Sequence, residues 1–258
     1  MCLYELSKIF DKESPIPLYY QLKSELLRQI KCGELQVGDM IPSEVEFCKV
    51  LGVSRPTVRQ ALIELVSEGY LSRQKGRGTF VTKPKIDGRF FQKLESFNRE
   101  MLQKGLTPST RVLRFEVQSS QPDVCRRLNI PEDEKVIYLK RLRFADGEPL
   151  VLLETYLPYT PFVGLLKEDL ERDSLYALLE EHYGTCVTRV SREIEAVNAT
   201  AAEAHLLEIT RNQAVCLVHT VAYTQEGTAV EYSVARYRGD RNRFTLELYR
   251  EPEAARSH

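Results

Sequence analysis

The sequence predicts an α+β protein of two domains: an N-terminal winged helix-turn-helix and a C-terminal, mostly antiparallel sheet with short helices. Three observations lead to this. Apolar residues recur at helical spacing up to about Thr82, whereas strand-like alternation dominates the rest of the 258-residue chain. Positive charge is concentrated in one short stretch of the first part. An apolar pattern of the second part occurs there twice.

Composition excludes several classes of protein. With 43% hydrophobic and 28% charged residues, the chain is typical of soluble globular proteins. Its six cysteines are far apart and its four histidines show no ligand spacing, so we expect no disulfide framework, no metal and no cofactor. The N-terminus lacks a signal-peptide pattern, and no apolar run approaches the roughly 20 residues that cross a bilayer. We therefore expect a cytoplasmic protein with no membrane partner.

Two helices are expected first. Ser43 and Glu46 form a capping-box pattern that begins the second helix, and Gly52 ends it. The first helix is predicted by an apolar residue at every fourth position before Gly33, namely Leu18, Leu22, Leu26 and Ile30.

A third helix and a hairpin follow. Ser54 is a suitable N-cap and Pro56 suits the first turn. The inward stripe of this helix leaves Arg55, Thr57 and Arg59 on its outer side. The next segment, "YLSRQKGRGTFV", alternates on both sides of a glycine-containing turn that carries Lys75, Gly76 and Arg77.

The charge of this stretch indicates a partner. From Arg55 to Lys83 there are six basic residues and two acidic ones, inside a protein of net charge −1. Two exposed arginines alone would most simply be a solvated helix face, and a basic turn would only keep a hairpin soluble. The order of helix, helix, tight turn, helix and hairpin favours DNA contact from the start of the third helix and from the hairpin tip.

Alternation in the second half of the chain predicts a sheet. Because the periodicity changes from helical to strand-like, we expect domains at 1–82 and 95–250, with a linker at 83–94 and a tail at 251–258. "FADGEPL" carries the Asp146-Gly147 hairpin signal. The predicted strands are 109–118, 135–145, 149–157, 187–198, 214–225 and 228–237, with a last one near 243–249.

Two arginines occupy a strand face that should be apolar. In "KVIYLKRLRF", Arg141 and Arg143 continue the face begun by Ile137 and Leu139. The repeat of this pattern 79 residues later has Thr220 and Ala222 there, so the architecture does not require arginine. A desolvated guanidinium without a partner is costly, and it suits phosphate or carboxylate. A salt bridge to Glu154 or Glu231 is the alternative.

Further donors and acceptors complete a candidate anion site. Ser174 is a suitable N-cap and places free backbone N–H groups beside Tyr176. Glu231 and Tyr237 share one side of a strand, with small residues between them, and Glu154 lies in another strand that looks buried. The combination fits a small phosphorylated sugar.

The sequence resembles a known family of regulators. "IPSEVEFCKVLGVSRPTVRQALIELVSEGYLSRQKGRGTFV" resembles the DNA-binding domain of the GntR family. "RLRFADGEPLVLLETYLP" and "VEYSVARYRGDRNRF" resemble the UTRA effector domain of its HutC subfamily, whose fold is similar to that of chorismate lyase. The resemblance, over about residues 14–250, implies a homodimer that binds double-stranded DNA at an inverted repeat and represses until a metabolite binds.

The resemblance also implies roles for single residues. Arg55, Thr57 and Arg59 would face the major groove, and Gly76 with Lys75 or Arg77 would enter the minor groove. Arg141, Arg143, Ser174 and Tyr176 would hold a phosphate, with a further contact from Ser96, and Glu154, Glu231 and Tyr237 would meet the sugar. The implied effector is N-acetylglucosamine 6-phosphate or glucosamine 6-phosphate.

Two other functions stay open. The effector could be a carboxylate metabolite, or the chorismate-lyase-like pocket could act as an enzyme on an anionic substrate, although no nucleophile–base pair or metal constellation is readable. One position departs from the family pattern. Val45 stands where the family usually has an arginine that helps to contact DNA, which puts the operator sequence or affinity in question.

Overall fold

The computed structural model describes residues 10–88 and 96–248, and these form two compact units that divide between Lys85 and Ile86. The expected linker, 83–94, is described only as far as Gly88, and the expected tail, 251–258, lies outside the described residues. No helix in the described ranges is long and apolar enough to span a membrane.

The first unit combines three helices with a small antiparallel sheet. The helices are α1 (Leu18–Lys31), α2 (Glu44–Leu51) and α3 (Arg55–Ser67). The strands are β1 (Met40–Ile41), β2 (Leu71–Gln74) and β3 (Gly78–Val81), in the order β1-β3-β2. The short strand β1 was not foreseen from the sequence, because two residues carry no alternation signal.

Local signals in the sequence fix the ends of these helices. The capping box at Ser43 is present, with both the Ser43 and the Glu46 side chains bonded to backbone N–H groups. Gly52 ends α2 in the left-handed conformation, at φ 62°. The Ser54 hydroxyl accepts from the N–H of Thr57 and so caps α3. The apolar sides of the three helices pack into one core of buried residues that includes Leu22, Leu26, Phe47, Leu62 and Leu65.

The second unit is built on a six-stranded antiparallel sheet in the order β5-β6-β7-β10-β9-β8. Its strands are β5 (Pro108–Ser119), β6 (Lys135–Ala145), β7 (Glu148–Pro158), β8 (Arg189–Asn198), β9 (Ala214–Tyr223) and β10 (Ala229–Arg238). All six agree closely with the predicted ranges.

A short parallel pair corrects two expectations. Ile86–Gly88, expected within the linker, forms strand β4, and β4 pairs with β11 (Asn242–Phe244). The strand expected near 243–249 is therefore shorter, and it pairs with β4 instead of extending the main sheet. These three-residue strands depend on contacts between distant parts of the chain, so local alternation does not reveal them.

The internal repeat is real and organises the sheet. Strand β5, helix α5 (Pro122–Leu128) and strands β6 and β7 are matched by β8, helix α7 (Ala201–Leu207), β9 and β10. Both helices end in a left-handed residue, Asn129 (φ 53°) and Glu208 (φ 52°). Because the strand order runs outward from β7 and β10, the two copies are related by a pseudo-twofold axis between those central strands.

The two faces of the sheet carry different layers. On one face, Ile137 and Leu139 pack in a core with Leu175 and Leu178 of helix α6 (Leu175–Tyr183) and with a 3-10 segment, Thr160–Lys167. Helix α4 (Phe97–Gln103) contributes Met101 to a neighbouring cluster. Helices α5 and α7 cover the other face. The strand face assigned to Arg141 and Arg143 from alternation is therefore the one beneath α6.

Candidate DNA-binding and effector-binding sites

The first turns of α3 present the predicted DNA-contacting side chains outward. Arg55 and Arg59 are exposed, and within the described residues neither forms an ion pair or hydrogen bond through its side chain. Thr57 is partly buried, and its hydroxyl lies 2.8 Å from the hydroxyl of Ser54. The opposite side of the helix is buried in the core through Val58, Ala61, Leu62 and Leu65. The arrangement leaves two guanidinium groups available to a partner in solution.

The hairpin presents a second basic surface. Lys75, Gly76 and Arg77 form the exposed turn between β2 and β3, and Gly76 has a positive φ of 74°. Nothing lies within 4 Å of a Cβ placed on Gly76, so the backbone conformation alone favours glycine there. Arg73 lies lower on the hairpin and pairs with Glu44 of α2 at 2.8 Å. This pair anchors the wing against the helix-turn-helix.

A groove separates the wing from the start of α2. It has a volume of about 720 Å³ and is lined by Ser43, Glu44 and the wing residues 73–79. Val45 is 56% exposed in the first turn of α2. The position where the family usually has an arginine is thus accessible but apolar in this chain.

Seven of the eight predicted effector-binding residues line one cavity, of about 110 Å³, in the second unit. They come from the start of α4, strands β6 and β10, and the start of α6: Ser96, Arg141, Arg143, Ser174, Tyr176, Glu231 and Tyr237. We call this the anion cavity. Four separate elements meet there because α4 and α6 pack on the same face of the sheet.

Arg141 is buried and Arg143 is partly buried, and neither forms a salt bridge with an acid among the described residues. Arg141 is 2% exposed, and its Nε has no hydrogen-bond partner. Burial and the neighbouring Arg143 lower the pKa of Arg141 to about 9. Arg143 stacks on the ring of Phe97 at 5.3 Å, its Nε is also unsatisfied, and burial lowers its pKa. The salt bridge to Glu154 or Glu231 is not formed in the described part of the chain.

The polar residues around the arginines are held in different ways. Tyr176 donates a hydrogen bond of 2.5 Å to Glu231, which is 4% exposed, and burial together with this carboxylate raises the pKa of Tyr176. Ser96 caps α4 by accepting from the N–H of Arg99 at 3.3 Å. Ser174 occupies the N-cap position of α6, but its hydroxyl makes no capping bond. The Ser174 side chain therefore does not cap the helix as expected, and its hydroxyl can bond to a ligand in the cavity.

Glu154 does not belong to the cavity, which corrects the sequence expectation. It pairs across the sheet with Lys140, whereas its neighbour Leu153 pairs with Arg141 and lines the cavity. On the far face, the Glu154 carboxylate accepts from Tyr138 at 2.8 Å, Lys140 at 2.9 Å and Arg236 at 3.1 Å. The residues that precede Glu154 in β7 are apolar on both faces of the strand. Alternation therefore did not show which face Glu154 occupies.

Sequence reasoning also missed part of the cavity wall. Arg192 of β8, Thr220 of β9 and Ser233 of β10 line it and lie in one transverse row of the sheet. The alternation of each strand was readable, but the row depends on the strand order. No group of three His, Cys, Asp or Glu side chains that could hold a metal occurs among the residues described.

Comparison with known proteins covers both units. The bacterial regulatory proteins of the gntR family match residues 18–81, and the UTRA domain matches residues 103–243. The chain is 38% identical to the HTH-type transcriptional repressor NagR of Bacillus subtilis, over 91% of this chain and 96% of that one. It is 32% identical to the mannosyl-D-glycerate transport/metabolism system repressor MngR of Escherichia coli, over 89% and 95%. The crystal structure of PhnF from Mycobacterium smegmatis is similar, with a TM-score of 0.70, 30% identity, and coverage of 89% and 99%.

Proposed function

The chain belongs to the gntR family of bacterial regulatory proteins and carries a UTRA domain, and we propose that it is a repressor released from its operator by a phosphorylated amino sugar. The observation that carries the proposal is that Arg141 is buried and Arg143 partly buried, that the Nε atoms of both have no hydrogen-bond partner, and that neither arginine forms a salt bridge with an acid among the described residues. Repression is supported by the relatives described as repressors, NagR and MngR.

The cavity favours phosphate over other anions. Arg141 and Arg143 each offer a planar set of N–H donors, and Arg192 adds a third guanidinium to the same wall. Glu231 is the carboxylate among the lining residues, so the wall carries more positive than negative charge. A phosphate monoester, which carries roughly −1.5 to −2 charges at neutral pH, neutralises this excess better than a single carboxylate does.

Roles for the other predicted residues follow from their positions. The free hydroxyl of Ser174 lies at the positive end of α6, where an anionic oxygen is favoured. The Ser96 hydroxyl extends the donor set around the phosphate, and Tyr176 would join it by turning its hydroxyl proton from Glu231 to the phosphate. Glu231 and Tyr237 stand along β10 and would accept and donate hydrogen bonds to the sugar.

The DNA side of the proposal uses the exposed basic residues. Two copies of the chain in a homodimer would place two α3 helices on an inverted repeat. Arg55, Thr57 and Arg59 would read bases in the major groove, and Lys75, Gly76 and Arg77 would enter the minor groove. Val45 offers a methyl surface instead of a cation at the start of α2, which predicts an operator different from that of members with arginine there.

Release requires that the effector bind better to the conformation that does not bind DNA. By linkage, DNA must weaken effector binding by the same factor. This reciprocity is measurable in either direction, with labelled operator or with labelled effector.

The test combines operator selection with effector titration. Double-stranded DNA selected from a random pool should contain an inverted repeat, and fluorescence anisotropy then follows release. We expect glucosamine 6-phosphate or N-acetylglucosamine 6-phosphate to release the DNA and the unphosphorylated sugars to leave it bound. Release by carboxylates alone would replace the phosphosugar with a carboxylate effector. Turnover of chorismate or of a sugar phosphate would instead favour an enzyme.

A further inference from the structure

The two edges of the main sheet differ in how they are protected. The edge strands are β5 and β8. In β5, the pairing with β6 shifts register between Val112 and Arg114, and an irregularity of this kind discourages a further strand from pairing. The N–H of Val112 donates to the carboxylate of Glu171 at 2.7 Å. The edge of β5 is therefore both interrupted and partly covered.

Strand β8 has neither protection. Its pairing with β9 runs from Arg189 opposite Tyr223 to Asn198 opposite Ala214 without a shift. The strand contains no proline or glycine, and none of its ten residues is buried. Within the described part of the chain, no strand pairs with its other edge. A straight, exposed edge of this length is a template for another strand.

One large apolar side chain of β8 is left half uncovered. Ile194 is 48% exposed, although Val218, opposite it in β9, is fully buried. Arg192 lies two residues earlier on the same face and lines the anion cavity. A strand paired with the open edge of β8 would cover Ile194 beside that cavity wall.

The order of charges along β8 indicates which partner fits. Charged side chains keep a sheet edge from pairing when the incoming strand sets like charges opposite them. In β8 the two basic residues, Arg189 and Arg192, precede the two acidic ones, Glu193 and Glu195. An antiparallel second copy of the strand therefore brings the basic half of each copy opposite the acidic half of the other.

One register uses this complementarity without a conflict. A twofold axis perpendicular to the sheet keeps every side chain on its own face, so the pair must be centred on a residue. Centring it on Ser191 sets Arg189 of each copy opposite Glu193 of the other and brings no like charges together. Centring it on Arg192 or on either glutamate places that residue opposite its own copy. Centring it on Ile194 sets the two glutamates opposite each other.

On the basis of the homodimer in the proposed function, we propose that two copies of the chain associate through β8, antiparallel and centred on Ser191, so that their sheets join into one. A second copy supplies the complementary order of charges by symmetry, whereas the strand of another protein would need to match it. In this register Val190 of one copy lies opposite Arg192 of the other. Each copy therefore covers the anion cavity of its partner on the side of β8.

Disulfide cross-linking tests the axis directly. At the axis the Cα atoms of the two copies lie about 4.5–5.5 Å apart, which a disulfide can bridge. In a parent protein with Cys2→Ser, Cys32→Ser and Cys186→Ser, we expect Ser191→Cys to become mostly covalent dimer with oxidised glutathione. Glu195→Cys is the matched control, because residue 195 is exposed on the same face and its two copies would be roughly 26 Å apart. The parent and the control should remain single chains on a non-reducing gel.

Charge reversal tests the register by a second route. Arg189→Glu replaces two opposite-charge pairs with two like-charge pairs, so the dissociation constant of the dimer should rise by about tenfold or more in sedimentation equilibrium. Adding Glu193→Arg restores both pairs and should recover most of the affinity, at the expense of the surface ion pair between Glu193 and Arg127. Arg114→Glu, on the edge of β5, is the control and should leave dimerisation unchanged.

The outcomes separate this inference from the function on which it rests. A wild-type dimer that neither cross-links through Ser191→Cys nor weakens with Arg189→Glu associates through another surface, and the inference is then wrong. Cross-linking through Glu195→Cys in place of Ser191→Cys would overturn it as well. If wild type is monomeric at every concentration, the homodimer of the proposed function fails with the inference. A dimer that cross-links at the axis but releases no operator with a sugar phosphate supports the inference and contradicts the proposed effector alone.

Discussion

Two arginine pairs of this protein lie in opposite environments. Arg55 and Arg59 are exposed on a helix whose other side is buried, and solvent satisfies their charge. Arg141 is 2% exposed, and Arg143 lies beside it against Phe97, with no acidic partner among the described residues. The first pair costs the fold almost nothing, whereas the second has lost hydration without gaining a salt bridge from the described residues.

This difference decides how each pair can be recognised. An exposed, unpaired arginine is an ordinary surface residue, so its role depends on the helix-turn-helix around it. A buried guanidinium has lost its hydration, which costs several kcal/mol unless another group compensates for it. The candidate effector site is thus indicated by the residues themselves, and the candidate DNA site only by the structure around its residues.

The strongest test of the comparison is Arg141→Met. Affinity for the sugar phosphate should fall by about 2–5 kcal/mol, because a buried charge pair with the phosphate is lost. The ligand-free protein should melt at a higher temperature, because an uncompensated buried charge is replaced by an apolar side chain. The pKa of Arg141, lowered to about 9, means that the protonated form carries this cost at every pH below that value. Calorimetry and thermal unfolding measure the two effects.

Arg114→Met is the control for that experiment. Arg114 lies on the neighbouring strand β5, and its side chain is 62% exposed. Neither effector affinity nor the melting temperature should change appreciably. If Arg141→Met lowered the melting temperature instead, an internal partner would be compensating the charge and the contrast between the two pairs would be lost.

The second test is Arg59→Ala, which should weaken operator binding by about 1–3 kcal/mol and leave stability almost unchanged. Arg28→Ala provides the matched control on α1. Arg28 is paired with Glu25 and Glu34, so its loss should affect stability and not DNA binding. Equal operator affinity for Arg59→Ala and wild type would show that α3 does not read DNA through this residue.

Local signals in the sequence predicted most of the fold. Caps at Ser43 and Ser54, the ending at Gly52 and the alternation of six strands reflect interactions within a few residues of each other. The repeat at a spacing of 79 residues predicted the pseudo-symmetry, which the matching helix ends at Asn129 and Glu208 confirm. The short strands β1 and β4 were missed, and β11 was expected to be longer than it is, because each depends on a partner far along the chain.

A residue of the candidate site could be predicted from the sequence only where alternation showed which face of its strand it occupies. Arg141 and Arg143 were assigned to the correct face because Ile137 and Leu139 preceded them on it. Glu154 was assigned to the cavity because its strand is apolar on both sides, so alternation gave no face. Arg192 was missed because only the sheet order brings strand β8 to the cavity.

Glu154→Gln tests whether this acid serves the buried arginines after all. Effector affinity should not change, because Glu154 bonds to Tyr138, Lys140 and Arg236 on the other face. Stability at neutral pH should fall by about 1–2 kcal/mol through weaker charge-assisted hydrogen bonds. A loss of effector affinity comparable with that of Arg141→Met would place Glu154 in the binding site.

The pH dependence of that loss has a definite sign. Burial alone would raise the pKa of Glu154, but Lys140 and Tyr138 lower it more, so the net pKa lies below its ordinary 4.5. The stabilisation by the carboxylate is therefore complete above that ordinary value and is lost as the pH falls through the lowered one. Wild type and Glu154→Gln should differ at pH 7 and converge in acid. A difference that grew in acid would contradict this assignment.

The smallest expected effect is a change in the salt dependence of operator binding. It distinguishes contacts to DNA phosphates from contacts to bases among the exposed basic residues. Lys75→Ala should reduce the slope of log affinity against log salt by about 1, because one phosphate contact no longer releases a counterion. Its effect should therefore shrink as salt rises, whereas the loss caused by Arg59→Ala should persist, since hydrogen bonds to a base release no counterion. Lys135→Ala, an exposed lysine of the second unit, should leave the slope unchanged. If Lys75→Ala and Arg59→Ala lost affinity in parallel at every salt concentration, the wing and the recognition helix would be bound in the same way, and the exposed arginines would act by charge alone.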